Sequence, residues 1–141
     1  MIKKFASAVW QGGLKDGKGQ ISTESGVLNA APYGFRVRFE GEKGSNPEEL
    51  IAAAHAGCFS MALSAQLGER GITADKIETK ATISMSMEGG PTLTESHLDV
   101  TITAKGDEAK IREAAEAAEK GCPISRALNL TITMDAKINA S

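Results

Sequence analysis

A long, Ala-rich apolar segment from Leu50 to Leu67 is the feature that most constrains the fold of this chain. Residues 46–49, Asn-Pro-Glu-Glu, precede it and have the residue types of a helix start. Asn suits the N-cap, Pro suits the first turn, and Glu49 stands three residues after Asn46, as in a capping box. We therefore predict one helix that begins at Asn46 and ends near Arg70, before Gly71. Because the segment is apolar on nearly all sides, we expect most of them to be buried.

The same segment is about long enough to cross a lipid bilayer. However, it is built largely of Ala and Ser, it contains His55 and Gln66, and charged residues flank it at 48–49 and 69–70. We therefore expect the core helix of a soluble protein rather than a membrane span. The first five residues show neither an apolar export segment nor a cleavage signature, so we expect no export signal and a cytoplasmic location.

Composition limits the protein class. A chain of 141 residues fits a single domain over 1–141. Lys and Arg total 16, Asp and Glu total 18, and a net charge of −2 disfavours a non-specific nucleic-acid binder, which needs a basic surface. Two cysteines are too few for a disulfide scaffold. In a reduced compartment, a cysteine pair is more often catalytic or redox-sensing than structural.

Alternating residues at 35–40 indicate a half-buried strand. Phe35, Val37 and Phe39 alternate there with Arg36, Arg38 and Glu40, so the two arginines are predicted to share one strand face. Earlier strands are predicted over 4–11 and about 20–24, with a turn at 32–34.

The second half of the chain continues the same mixture of strands and helices. The predicted elements are strands over 77–87 and 98–104 that form a hairpin around 89–91, a helix from Asp107 to before Gly121 with its apolar stripe at Ile111, Ala114, Ala115 and Ala118, a short helix over 122–128 and a strand over 130–138. Strands grouped first, then a central helix, a hairpin, helices and a last strand predict an α+β fold with a mostly antiparallel sheet.

Cys58 lies in the middle of the predicted central helix. It follows Gly57, a poor helix residue that keeps space open beside the sulfur, and His55 lies three residues earlier on the same face. Two interpretations stay open: a buried, inert thiol, or a nucleophile for which His55 could be the base. A single histidine in an Ala-rich helix is more often a packed core residue.

Cys122 lies between Gly121 and Pro123, at the start of the predicted short helix. Unpaired backbone N–H groups at a helix N-terminus stabilise a thiolate, although a cap-region cysteine can also have no role. One cysteine in a buried helix and one in a turn are a plausible pair for a reversible disulfide. Their separation in space stays open at this stage.

A reaction of two thiols would need a cation to stabilise the thiolate. Arg36 and Arg38 are candidates, or they are solvated charges on a strand face. Glu48 and Glu49 already have an adequate explanation as capping residues. A zinc site could draw on His55, Cys58, His97 and Cys122, but these residues have no recognised zinc-ligand spacing.

Several longer segments resemble the OsmC/Ohr family, which comprises osmotically inducible proteins and a sister branch of organic hydroperoxide resistance proteins. The matching segments are Ser-Thr-Glu-Ser-Gly-Val-Leu-Asn at 22–29, Pro-Tyr-Gly-Phe at 32–35, Arg-Phe-Glu-Gly-Glu-Lys-Gly-Ser-Asn-Pro-Glu-Glu-Leu at 38–50, Ala-His-Ala-Gly-Cys-Phe-Ser-Met-Ala-Leu at 54–63 and Gly-Cys-Pro-Ile-Ser at 121–125. The resemblance covers essentially the whole chain. It is strongest over 22–64 and 119–126 and loose over 75–105.

The resemblance implies a cytoplasmic thiol peroxidase of the stress response, built as an intertwined homodimer with the sheet packed on the long central helix and with no metal or organic cofactor. Cys58 matches the family's peroxidatic cysteine and Cys122 its resolving cysteine. Arg38 matches the arginine that holds the thiolate, and Glu48 the carboxylate that positions this arginine, whereas Arg36 does not match. The implied substrates are organic hydroperoxides, and the reductant is an external dithiol, which in the family can be a lipoyl group.

His55 stands where the hydroperoxide-resistance branch usually has an aromatic residue, so the chain resembles the OsmC branch. Glu48 and Cys58 are ten residues apart, which is about 15 Å of helix rise and beyond the reach of a Glu side chain. The carboxylate must therefore act through Arg38 or come from another subunit. We hypothesise that each active site mixes residues of two chains.

Two other functions stay open. A non-enzymatic redox sensor or binding module could use the same disulfide as a switch, with poor turnover under excess dithiol. A Cys–His hydrolase could use Cys58 and His55, and it would hydrolyse esters without peroxide.

Overall fold

Two units make up the chain in the computed structural model, which describes residues 1–141: Met1–Leu50 and Ile51–Ser141. The first unit contains β1 (Ala6–Gln11), β2 (Lys18–Thr23), β3 (Ala31–Tyr33) and α1 (Phe35–Phe39). Helix α2 (Pro47–Glu69) begins in the first unit and continues into the second. The second unit also contains β4 (Ala74–Ser86), β5 (Thr92–Ala104), α3 (Glu108–Gly121), α4 (Pro123–Ala127) and β6 (Thr131–Ala140).

The first unit contains an antiparallel sheet in the order β1-β2-β3. The turn predicted at 32–34 is wrong for its first two residues, because they form part of β3, which pairs with β2 between Ile21 and Ala31 and between Gly19 and Tyr33. Pro32 is tolerated there because β3 is an edge strand. The rings of Trp10 and Tyr33 pack with their centroids 5.6 Å apart, and a side chain at Gly19 would collide with both.

The strand predicted at 35–40 is also wrong, because residues 35–39 form helix α1. Phe35 and Phe39 lie one helical turn apart, and their ring centroids are 5.0 Å apart. Residues i and i+4 share a face in a strand and also in a helix, so five alternating residues do not separate the two periods. Arg36 and Arg38 therefore do not share a face, since residues two apart on a helix point in different directions.

Helix α2 begins and ends where the sequence predicts. The Asn46 side-chain oxygen accepts a hydrogen bond of 2.8 Å from the Glu49 backbone N–H, which is the N-cap contact of the predicted capping box. The predicted burial on most sides is wrong within this chain, since the buried residues form one stripe, His55, Phe59, Leu63 and Leu67. On the other side, Met61 is 79% exposed. The sequence pattern specified an apolar surface without specifying what covers it.

By length and composition α2 could cross a membrane, but the core helix of a soluble protein passes the same test. The stripe of Phe59, Leu63 and Leu67 belongs to one buried cluster with Leu98 and Ile102 of β5. One side of α2 therefore packs as a core helix does, whereas its other side is exposed in this chain.

The second unit is built on a sheet in the order β4-β5-β6. The predicted hairpin is confirmed as the antiparallel pair β4–β5, whereas β5 and β6 are parallel. This parallel pairing has a simple cause, since α3 and α4 carry the chain back before β6 begins. The predicted apolar faces are buried: Leu98, Val100, Ile102 and Ala104 on β5, and Ile111, Ala114, Ala115 and Ala118 on α3. The α+β class is confirmed.

Candidate active site

The two cysteines meet in the second unit. Cys58 lies in the middle of α2, and Cys122 lies between α3 and α4, where it caps the end of one helix and the start of the other. Both are free thiols, and their Sγ atoms are 2.9 Å apart. A disulfide bond is about 2.05 Å long, so the sulfur atoms need to approach by less than about 1 Å to bond. The separation that the sequence left open is therefore short.

Helix ends position Cys122. Its backbone N–H donates to the Ala118 carbonyl at 3.0 Å, which closes α3, and its own carbonyl accepts from the Arg126 N–H at 3.0 Å, which opens α4. Pro123 occupies the first position of α4, where its missing N–H costs nothing. The Gly-Cys-Pro sequence thus directs the thiol of Cys122 toward the start of α4.

The surroundings of the two thiols favour ionisation of Cys122. Burial alone raises the pKa of Cys122, but hydrogen bonds from Cys58, from the Ser125 backbone and hydroxyl, and from the Ile124 backbone outweigh it and lower that pKa. The pKa of Cys58 is raised, first by burial and then by its hydrogen bond to Cys122 and the negative charge there, although the Ile124 backbone opposes this. Within this unit, the thiolate therefore forms more readily on Cys122.

His55 is a fully buried histidine with both ring nitrogens occupied. Nδ1 lies 2.6 Å from the Ser96 hydroxyl oxygen, and Nε2 lies 2.7 Å from that of Ser125. Burial lowers the pKa of His55, which favours a neutral imidazole. These contacts match a packed core histidine, and they leave no ring nitrogen free to act as a base for Cys58.

Ser125 is a residue of this site that the sequence analysis missed. Its hydroxyl contacts His55, and its hydroxyl and backbone N–H both bond to the Cys122 sulfur. A signal was present, because Ser125 follows Cys122 by three residues, about one turn, at a predicted helix start.

Arg38 and Glu48 form a forked ion pair in the first unit. The Arg38 Nε and Nη2 atoms donate to Glu48 Oε1 at 3.1 and 2.9 Å, and Nε also reaches Oε2 at 3.3 Å. Glu48 lies in the first turn of α2, and the Arg38 guanidinium also lies 5.2 Å from the Phe39 ring centroid. Two parallel donors fix the plane of a guanidinium, so Glu48 orients Arg38. Arg36 is exposed and takes no part in this pair.

The zinc alternative fails on geometry. His97 lies on β5 one residue before Leu98, so its side chain leaves the opposite face of the sheet from the buried cluster that includes Leu98 and Cys122. Its ring contacts Thr133, Asp99 and Asp135 instead. The ligand atoms of His55, Cys58, His97 and Cys122 therefore do not converge.

Comparison with known proteins gives the family. Residues 40–137 match the family model described as OsmC-like protein. The chain belongs to the OsmC family. It is 48% identical to the peroxiredoxin OsmC of Escherichia coli (strain K12), with 99% of each chain covered. It is 30% identical to the organic hydroperoxide resistance protein OhrB of Bacillus subtilis (strain 168), over 84% of this chain and 89% of that protein.

Solved structures agree with this assignment to the OsmC family. The crystal structure of OhrB of Bacillus subtilis superposes with a TM-score of 0.70 at 28% identity, covering 95% of this chain and 97% of that one. An OsmC-like protein from Mycoplasma pneumoniae superposes with a TM-score of 0.75 at 20% identity, covering 97% of each. At that lower identity the match shows the fold alone. The resemblance inferred from the sequence motifs is confirmed.

Proposed function

We propose that this chain is a two-cysteine thiol peroxidase that reduces organic hydroperoxides to alcohols and reduces H2O2 more weakly. Its OsmC-family relatives include a peroxiredoxin and organic hydroperoxide resistance proteins, so the chain is assigned a peroxidase activity and a peroxide-detoxifying role in stress. The observation that carries the two-cysteine mechanism is the 2.9 Å separation of the Cys58 and Cys122 sulfur atoms.

The proposed cycle uses both thiols in turn. The Cys58 thiolate attacks the distal peroxide oxygen, the O–O bond breaks, and the alkoxide leaves as an alcohol after taking up a proton. Cys58 is then a sulfenic acid, and the Cys122 thiolate attacks its sulfur, forming the disulfide and releasing water once the leaving hydroxide is protonated. An external dithiol supplies two electrons and reduces the disulfide by thiol exchange, so this cycle requires no metal or organic cofactor.

The environment of Cys122 suits the resolving step. Hydrogen bonds from Ser125 and Ile124 lower its pKa, which favours the thiolate form that attacks the sulfenic acid. The pKa of Cys58 is raised, although the attack on peroxide requires its thiolate. Cys58 therefore needs a positive charge nearby to stabilise that thiolate. In this proposal, Arg38, oriented by Glu48, supplies the missing positive charge to Cys58.

An intertwined homodimer is the second part of the proposal. The open side of α2 consists of small or apolar residues, Ala53, Ala54, Gly57, Met61, Ser64, Ala65 and Gly68. Such a surface allows another helix to approach closely, and burying it is favourable. A side chain added at Gly57 would meet nothing within 4 Å of this chain, so this chain alone gives no steric reason for a glycine there. We propose that a second copy covers this side.

The remaining parts rest on the same relatives. We propose that residues 1–141 act as one OsmC-like domain, since the peroxiredoxin OsmC of Escherichia coli aligns over 99% of both chains. We also propose a cytoplasmic location, because a reduced compartment suits a pair of reactive thiols. The reductant in this proposal is an external dithiol, such as the one that a lipoylated protein carries. Apolar residues near Cys58 on α2, such as Ala54, Met61 and Ala62, favour a peroxide with an organic tail.

The test of this function is steady-state peroxide consumption with an external dithiol. We expect kcat/KM for an organic hydroperoxide to exceed that for H2O2 by at least about tenfold, because apolar contacts discriminate by that order. Disulfide formation with no turnover under excess dithiol would favour the redox sensor instead. Ester hydrolysis that needs no peroxide and is lost in His55→Ala would favour the hydrolase.

Subunit exchange tests the shared active site. Inactive Cys58→Ser and Arg38→Ala dimers are mixed under conditions in which exchange is demonstrated. If each site takes these residues from different chains, half of the dimers become mixed and each has one intact site, so activity should recover to about a quarter of wild type. No recovery despite demonstrated exchange would mean that each site is built within one chain.

A further inference from the structure

A second group of chemically active side chains lies on the polar face of the β4-β5-β6 sheet. His97 and Asp99 of β5 point to the face opposite the buried residues of that strand, and Asp135 lies beside them on β6. The parallel register places Asp99 opposite Asp135 and His97 opposite Thr133. The peroxidase cycle uses none of these residues.

Three ligand atoms converge at this cluster. His97 Nε2 lies 3.3 Å from Asp99 Oδ1 and 3.3 Å from Asp135 Oδ2, and all three atoms lie within 4.8 Å of one another. In a tetrahedral zinc site with bonds of about 2.0–2.1 Å, neighbouring ligand atoms are about 3.3–3.4 Å apart. Two of the three separations therefore already match those of a bound metal.

The hydrogen bonds behind His97 orient its ring for a cation. The Thr133 hydroxyl donates to Glu95 Oε2 at 2.7 Å, so its oxygen can accept from His97 Nδ1, 2.6 Å away. Nδ1 can then donate to Thr133, while Nε2 faces two carboxylate oxygens, so that a metal ion bound there would take the place of a proton on Nε2. A metal-binding histidine usually donates its other N–H to such a second layer of polar groups, which fixes the tautomer.

We propose that His97, Asp99 and Asp135 bind a divalent transition-metal ion, with Zn²⁺ the best match and water in the fourth position. One imidazole and two carboxylates are suitable ligands for Zn²⁺ and Co²⁺. The three side chains are 28%, 53% and 82% exposed, so an ion reaches the site directly from solvent. The site is independent of the peroxidase proposal, because it lies on the other face of the sheet from Cys122.

The experiment is a Co²⁺ and Zn²⁺ titration of the full chain in a Cys58→Ser, Cys122→Ser background, since thiolates would also bind these metals. Calorimetry should give one ion per chain, and Co²⁺ should develop the visible absorption of a tetrahedral complex without a thiolate band. His97→Ala and Asp135→Asn should each weaken binding at least about tenfold, and Thr133→Val should weaken it about 10–100-fold although it removes no ligand. Asp75→Asn, which removes an exposed carboxylate of β4, is the matched control and should bind as the background does.

Two results would overturn the metal site. No saturable binding up to millimolar ion would mean that the three side chains only contact one another and bind no metal. Equal affinity in His97→Ala and its background would place the ion elsewhere. If His97→Ala does not fold, Asp135→Asn decides the question, because this exposed residue can be changed with little effect on the fold.

Discussion

Replacing Cys58 by serine is expected to lower kcat/KM for an organic hydroperoxide by at least about 1,000-fold, because a serine hydroxyl is not a nucleophile toward peroxide at neutral pH. Cys122→Ser should instead keep one fast turnover per chain and then stop. In that variant the sulfenic acid forms on Cys58 but has no thiol 2.9 Å away with which to condense. Measuring first the peroxide consumed in one turnover and then the steady-state rate distinguishes the Cys58→Ser result from the Cys122→Ser result.

The structure makes this a demanding test, because local hydrogen bonding favours ionisation of Cys122 rather than of Cys58. The pKa of Cys122 is lowered and that of Cys58 is raised by the groups of their own unit. If ionisation within that unit alone decided the reaction, Cys122 would attack the peroxide and Cys58 would resolve it. The family resemblance assigns the reverse order, which needs a positive charge at Cys58 from outside these contacts.

Mass spectrometry after one equivalent of peroxide decides the order. In Cys122→Ser, a trapped sulfenic acid should appear on Cys58. If a sulfenic acid instead forms on Cys122 in Cys58→Ser at the wild-type rate, Cys122 is the peroxidatic cysteine and Cys58 the resolving one. Far-ultraviolet circular dichroism of both variants provides the folding control, since Cys122 also caps two helices through its backbone.

Features with short-range causes could be predicted from the sequence. The start of α2 depends on Asn46 and Pro47, and its end is near Gly71, so the signals lie within a few residues of the boundary that they define. The buried stripe on α3 and the apolar face of β5 were also predictable, because apolar residues recur at a constant helical or strand spacing along each element.

Features with ambiguous or long-range causes could not be predicted in the same way. Helix α1 has only five residues, and Phe35 and Phe39 fit a strand and a helix equally well. The parallel pairing of β5 with β6 depends on how α3 and α4 return the chain, which no local pattern encodes. The exposed side of α2 could not be predicted for the same reason, since an apolar residue such as Met61 indicates burial without identifying the surface that covers it.

Some features of the candidate site could likewise be predicted from the sequence, and others needed the structure. The cysteine motifs around Cys58 and Cys122 were visible, but these residues are 64 positions apart, so only the structure gives the distance between their sulfur atoms. The Glu48–Arg38 contact came from the family resemblance rather than from the strand pattern, which was wrong there. Ser125 was missed although it follows Cys122 by about one helical turn, because serines are common at helix starts and this spacing alone does not distinguish a site residue.

Arg38→Ala is expected to lower the rate of Cys58 oxidation about 100-fold, the usual order for removing one charged group that stabilises a reacting anion. Without this cation, the pKa of Cys58, already raised by burial, should rise further, so the rate should recover in part as the pH increases. Rapid-mixing measurement of sulfenic acid formation across pH values, in a Cys122→Ser background, gives the rate and its pH dependence together.

Arg36→Ala is the matched control for the Arg38 test, because it removes the same side chain two residues away on α1, where no carboxylate orients it. This variant should react within about twofold of wild type, whereas Glu48→Gln, which keeps one hydrogen-bond acceptor but loses the ion pair, should fall between the two arginine variants. Equal losses in Arg36→Ala and Arg38→Ala, or an Arg38→Ala defect that does not change with pH, would contradict a role for Arg38 in ionising Cys58. The ordering of these three variants therefore tests whether the forked geometry, rather than positive charge in general, activates the sulfur.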